Sequence, residues 1–273
     1  MKFGCVFWYE DGDFSSILKK AKKWKLDFAE ICLDYPWPDA FSEDEMLGAK
    51  KVLVDVGMDV AFHGPLGGIL LFHPRKEMVD AAINIHKKCL KFAASLNPLY
   101  YNFHIKTYPL ELRIKGNKKI ALQNCLNGLD ELIKVARKLD IRLILENSTR
   151  TGYLVPYEEL LSRRIDFNLD VGHWFAGKRG YARLGKLVNL LEKRIVLIHL
   201  HDCKFQDAPI KDHLPLGQGD INFNRVFKAL KKGRIQMMAL EIESKEATLL
   251  KQNLSMARKL IKPSCAIQNY NRI

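Results

Sequence analysis

Eight short runs rich in β-branched and aromatic residues recur along the chain, with longer amphipathic stretches between them. They are KFGCVFW (2–8), FAEICL (28–33), DVAFHG (59–64), YYNFHI (100–105), RLILEN (142–147), DFNLDV (166–171), IVLIHLH (195–201) and MMALEIE (237–243). Helical periodicity fills segments such as 75–96, 117–139 and 245–261. A helix between two strands returns the chain to the same end of the sheet, so successive strands pair in parallel. Eight such units predict an α/β fold, a single (β/α)8 TIM barrel. No Pro/Ser-rich linker divides the chain. The reading is one barrel domain over residues 1–262 and a surface extension over 263–273.

Composition agrees. Of 273 residues, 48% are hydrophobic, enough for one large core. The opening segment, MKFGCVFWYEDGDF, meets acids after a handful of apolar residues and reads as a first strand instead of a signal peptide. No apolar run approaches the length that spans a bilayer. Cysteines fall at 5, 32, 89, 125, 203 and 265 without a CxxC pair. Reduced, mostly buried thiols and a cytoplasmic protein are the expectation. The formal net charge is +13, which invites a nucleic-acid or phosphorylated partner. Lysine doublets, however, are spread at 19–20, 22–23, 50–51, 87–88, 118–119 and 231–232. That spread describes a generally basic solvated surface better than one groove.

Polar residues gather at one end of strand after strand. His63, His104, His173, His199, His201 and His213 sit at or just past C-terminal strand ends, as do Glu146, Asp170, Asp202 and Glu241. In a parallel barrel these ends converge on one bowl, where active sites form. Alternation puts Ile144 with Glu146, Asn168 with Asp170, Leu197 with His199 and His201, and Ala239 with Glu241 and Glu243. Val196, Ile198 and Leu200 then face the helices. Each of these residues alone is an ordinary core or loop residue; the shared location is the signal. Buried imidazoles and carboxylates crowded together are costly unless a cation satisfies them. Mixed oxygen and nitrogen donors suit Mn²⁺, Zn²⁺, Co²⁺ or Mg²⁺. The sequence IHLHD (198–202) then places one histidine on the ion and the other near substrate or a second ion. Trp174, beside His173, reads as a pocket wall or as core. His73 and His86, in a loop and a helix, receive no role. Lys178, Arg179 and Lys204 read as solvated loop charges, with binding of a substrate phosphate as the alternative.

Taken in order, HGP (63–65), FHIKT (103–107), LILEN, LDVGHW, IHLHD, HLPLGQGDINF (213–223) and ALEIE resemble the xylose isomerase-like barrel superfamily. It includes sugar (phosphate) isomerases and epimerases, and endonuclease IV-type abasic-site endonucleases. The epimerase branch implies one divalent ion held by Glu146, Asp170, one histidine of HLH and Glu241, with His199 favoured over His201. It also implies that Glu146 and Glu241 are an acid/base pair, that His173 binds substrate oxygens, and that His63, His104 and His213 line the pocket. The endonuclease branch implies three zinc ions at positions matching His63, His104, Glu146, Asp170, His173, His199, His213 and Glu241, and DNA as partner. One departure counts against it. That branch carries an aspartate two residues before the histidine matching His213, and Lys211 stands here; Asp212 would point the other way in an extended strand. The glycines of HLPLGQGDINF read more like the tight turn of the isomerases. The expectation is therefore a divalent-metal-dependent isomerase or epimerase of a sugar or sugar-like polyol, working through an enediolate. The alternatives are a zinc-dependent abasic-site phosphodiesterase and a barrel that binds metal and ligand without turnover.

Overall fold

Every one of the eight runs forms a strand, trimmed at its end where the chain leaves the hydrogen-bond ladder. The computed structural model describes residues 1–35, 38–39, 42–108, 110–148, 155–163, 165–191, 194–230, 235–243 and 245–261. The barrel strands are β1 (Lys2–Phe7), β2 (Phe28–Cys32), β3 (Asp59–His63), β4 (Tyr101–His104), β5 (Leu143–Glu146), β6 (Asp166–Asp170), β7 (Ile195–Leu200) and, after a hairpin, β10 (Met237–Leu240). They close in the order β1-β10-β7-β6-β5-β4-β3-β2, all pairs parallel. The extension expected over 263–273 lies outside the described residues.

The crossovers are helical. They comprise α1 (Phe14–Lys23), α2 (Glu43–Val56), α3 (Lys76–Ala94), α4 (Asn117–Lys138), α5 (Tyr157–Leu161), α6 (Val171–Ala176), α7 (Gly180–Leu191), α8 (Phe223–Leu230) and α9 (Ala247–Leu260). Local chemistry sets their ends. The Asp13 carboxylate accepts from the Ser16 N–H at 2.8 Å and starts α1. Ser42 and Glu45 form a reciprocal capping box on α2. That helix stops at Gly57, whose φ of 58° puts it in the left-handed region.

Two apolar layers result. One lies between strands and helices. The other fills the barrel, with Val6, Phe28, Cys32, Ala61, Tyr100, Ile144, Leu197, Met237 and Ala239. Gly4 makes room there, since a Cβ on it would lie 2.4 Å from the Phe28 ring. One alternation assignment needs correction. Val196 belongs to the interior cluster and not to the helix side. The cause is a register irregularity: Phe167 pairs with Ile195 but Asn168 with Leu197, so β7 carries one extra residue.

The segment after β7 also differs from a simple turn. It forms an antiparallel hairpin, β8 (Asp202–Lys204) with β9 (Lys211–Leu214), over the barrel mouth. The five cysteines among the described residues are buried and free. Among the described residues no helix is long and apolar enough to cross a membrane.

Candidate metal centre

The inward alternation of β5, β6, β7 and β10 brings Glu146, Asp170, His199 and Glu241 together. One donor atom from each lies within 4.8 Å of the others, and all four residues are buried. Glu146 stands at the middle. Its Oε2 accepts from the amides of Asn102 and Asn168, the latter at 2.8 Å. His63 Nε2 and His199 Nδ1 each approach that oxygen to 3.3 Å. Its Oε1 has no hydrogen-bond partner, with His104 Nε2 at 3.5 Å and His173 Nδ1 at 3.7 Å.

Asp170 ends β6 and caps α6. It accepts from the His173 N–H at 2.7 Å, while Asn147 brackets its main chain through both amide groups. His173 Nδ1 lies 2.8 Å from its other oxygen. Burial opposes ionisation of Asp170, and the neighbouring His173 and His201 more than offset that, so its carboxyl titrates below the usual aspartate value. Burial likewise opposes charge on Glu146 and Glu241, yet both are held well below the usual glutamate value. His104 and His199 do this for Glu146, and His199 with His213 for Glu241. His199 is correspondingly pushed well above the ordinary imidazole value against its burial, by Glu146, Glu30 and Glu241.

The two histidines of IHLHD are in different situations. His199 turns Nδ1 toward Glu241 at 3.0 Å and toward Glu146, and Nε2 toward Glu30 at 2.9 Å. His201 has both nitrogens engaged. Its Nδ1 accepts from the His213 N–H at 2.8 Å, so the ring proton sits on Nε2 and is donated toward Asp170 at 3.0 Å. The ring lies against Gly172, where a Cβ would come within 2.0 Å of it. That is why DVGH carries a glycine.

Several expectations change. Asp202 does not join the cluster. Its buried carboxylate accepts from the N–H groups of Cys203, Gly217 and Ile221 at 2.8, 2.9 and 3.2 Å, and so ties down the glycine loop. Asp212 does not point away from His213; its Oδ1 lies 3.2 Å from Nδ1, because His213 has a φ of 52° and the stretch is not extended there. Arg179 is not a solvated charge. It is 6% exposed, donates to the Ser148 carbonyl at 3.1 Å and lies over Trp174. Trp174 is core, its indole N–H donated to the Gly180 carbonyl at 3.1 Å. His73 and His86 stay outside the cluster, beside Glu111 and Tyr101.

Three further polar residues join the cluster: Glu30 and Asn102, which lie outside the strand-end pattern, and Asn168, which shares its face with Asp170. Glu30 sits between Phe28 and Cys32 on the inward face of β2, fully buried. A carboxylate in the middle of an apolar strand was the available signal.

Two further ligand-bearing groups border the quartet: His63 and His104 with Glu146, and His173 with His201 and His213. His63 donates from Nδ1 to the Gly64 carbonyl at 2.7 Å, which leaves an unpartnered Nε2 lone pair facing Glu146. The second group is weaker as a ligand set, because the His201 tautomer presents no lone pair to it. Lys211 lies opposite Lys204 on the exposed hairpin and adds no carboxylate.

Above the quartet opens a cavity of about 680 Å³, reached between Trp8, Leu66, His104, His173 and His213. Glu10, Asp11 and Glu243 stand at its wall with Lys106, whose ammonium donates to the Leu66 carbonyl at 2.9 Å. The wall is therefore acidic.

The structure resembles that of D-psicose 3-epimerase from Clostridium cellulolyticum H10, with TM-score 0.74 and 16% identity, covering 95% of this chain and 99% of that one. It also resembles a D-tagatose 3-epimerase-like protein, with TM-score 0.76 and 18% identity over 95% and 97%. In sequence, it is 26% identical over 176 residues to an uncharacterised protein of Methanocaldococcus jannaschii, a match spanning 62% of this chain and 64% of that protein. It is 23% identical over 201 residues to a probable endonuclease 4 of Petrotoga mobilis, across 66% and 68%. The model of the xylose isomerase-like TIM barrel family matches residues 18–260, and the chain belongs to that family.

Proposed function

We propose that this protein is a divalent-metal-dependent epimerase or isomerase of a sugar or sugar-like polyol. The observation that carries this is the buried quartet of Glu146, Asp170, His199 and Glu241 on the floor of an open cavity. Its donors fit a cation. Glu146 has a buried oxygen without a hydrogen-bond partner, and three carboxylates crowd one imidazole nitrogen's surroundings. Oxygen-rich sites with one imidazole suit Mn²⁺, Co²⁺ or Mg²⁺, and Zn²⁺ is also accommodated. When bound, the ion would draw electrons from a ketose carbonyl and stabilise the negative charge that follows loss of the neighbouring proton.

The remaining steps belong to the chain. Glu146 and Glu241 reach the centre from β5 and β10, and both are ionised at neutral pH. One removes the proton next to the carbonyl and later releases it to water; the other first takes a proton from water and then delivers it to the enediolate from the far side. His173 and His213 project into the cavity as hydroxyl-binding groups. Trp8 offers a flat apolar face beside His213. The acidic wall favours an uncharged sugar over a phosphorylated one, because phosphate oxygens would meet Glu10, Asp11 and Glu243 with Lys106 as the cation beside them.

The test is exchange of solvent deuterium into a panel of ketoses in the presence of Mn²⁺. Wild-type protein incorporates deuterium at the carbon beside the carbonyl. Glu146→Gln and Glu241→Gln each lose about 100-fold or more of that rate while remaining folded. Near-full exchange in either variant removes the acid/base assignment, and absence of exchange with every ketose favours a protein that binds without turnover.

A second reading, a zinc-dependent abasic-site endonuclease, is favoured by the unpartnered His63 Nε2 beside Glu146 and His104. It loses support at the third group, where Lys211 stands in the acid's place.

A further inference from the structure

Glu30 is a buried carboxylate that neither the quartet nor the cavity wall includes. It is 0% exposed, on β2, among Phe28, Cys32 and Tyr100. A charge in such a place is costly unless donors surround it. Three groups do so: the Tyr100 hydroxyl at 2.5 Å, the Asn102 amide at 3.3 Å and His199 Nε2 at 2.9 Å. The Asn102 nitrogen also donates to Glu146, so a single amide spans the two carboxylates.

The arrangement across the His199 ring is directional. The two imidazole nitrogens point away from each other, one to Glu30 and the other to Glu146 and Glu241. A neutral imidazole carries one proton. With Tyr100 and Asn102 donating to it, Glu30 is an acceptor and holds a ring proton on Nε2, which leaves Nδ1 as the nitrogen that can present a lone pair to a cation. The Nδ1 side offers only carboxylates, which also accept, so it is a cation held among them that leaves Nδ1 without a proton and the single ring proton on Nε2.

We propose that Glu30 is a positioning residue for the metal centre, selecting the His199 tautomer that offers Nδ1 to a divalent ion and raising the basicity of that nitrogen. This rests on the proposed quartet. Carboxylates placed behind ligating histidines act this way generally, and their loss lowers metal affinity about 10- to 100-fold. Glu30 would then touch neither ion nor substrate.

The experiment titrates the metal-free full-length protein with Mn²⁺ alone, and separately with Co²⁺ followed by visible absorption. Glu30→Gln keeps the shape of the side chain and removes its charge. The expected result is Mn²⁺ binding about 10- to 100-fold weaker, altered Co²⁺ bands, and a thermal midpoint of the metal-free protein close to that of wild type. Wild-type affinity and unaltered bands in Glu30→Gln overturn the proposal and leave the quartet standing. Equal loss of affinity and of metal-free stability shows a structural role only, and overturns it too. Failure of the wild-type protein to bind either ion overturns the quartet itself and Glu30 with it. Should Glu30→Gln not fold, Tyr100→Phe removes one donor from Glu30 without touching His199. A smaller but measurable loss of Mn²⁺ affinity supports the proposal, and no loss refutes it.

Discussion

At the scale of single residues, the site shows how much a strand pattern discloses. Alternation in LILEN, FNLDV, VLIHLH and ALEIE was enough to bring Glu146, Asp170, His199, His201 and Glu241 to one mouth, because side chains on a strand have a period of two. It could not separate His199 from His201, which share a face. Their difference lies in partners from β2 and from the hairpin, both distant in sequence. Glu30 was missed for a related reason. Its signal is one charged residue in an apolar strand, and its meaning depends on Tyr100 and His199. His86 belongs to this scale as well. It is buried in α3, with Nδ1 paired to the Tyr101 hydroxyl and Nε2 without a partner. Burial, then the nearby His63, lowers its pKa to about 3. The unfolded chain therefore binds a proton at His86 from about pH 6.5 downward, and the folded chain does not. Stability is lost as pH falls through that window, by up to about 1.4 kcal/mol per pH unit from this one group. His86→Leu, compared with wild type by urea unfolding of the metal-free protein at pH 7 and pH 5, should show the smaller pH dependence. An unchanged slope would contradict the neutral buried imidazole.

At the scale of elements, the eight strands and their crossovers were legible because periodicity is a local property. The hairpin of β8 and β9 was not. Its strands of three and four residues are too short to show alternation, and its organiser is a single carboxylate. Asp202 collects main-chain N–H groups from the segment HLPLGQGDINF, and Gly219 lies so close that a Cβ would be 2.4 Å from Oδ1 and 2.6 Å from the Cys203 carbonyl. The loop in turn sets His213, whose N–H fixes the tautomer of His201. Gly219→Ala should therefore loosen the mouth without dissolving the barrel. Expected are faster amide exchange across 202–221 and a reduced turnover rate, with far-UV circular dichroism unchanged. Retained protection over that segment would show that the loop absorbs the methyl group elsewhere.

At the scale of the whole molecule, positive charge and the cavity occupy different places. The net charge is +13, yet Glu10, Asp11 and Glu243 stand at the opening above the quartet. Lys23, Lys25, Lys251, Arg258 and Lys259 instead gather around Trp24, between the end of α1 and α9. Whatever duplex DNA the protein attracts should bind by such surfaces, weaken steeply with salt, and be indifferent to Glu146→Gln. An abasic-site duplex should survive incubation with the Zn²⁺-loaded protein. Cleavage that disappears in Glu146→Gln would reverse the ranking of the two functional readings.

The Phe28 ring seated over Gly4 has a kinetic corollary. Among the described residues the barrel interior is filled beneath the quartet, and the centre opens to the cavity past Trp8 and His213. If the proposed function holds, substrate enters and product leaves by that same passage past Trp8 and His213. The two sugars cannot occupy it together, so each should act as a strictly competitive inhibitor of the other's conversion, and accumulated product should slow the forward reaction well before equilibrium is reached.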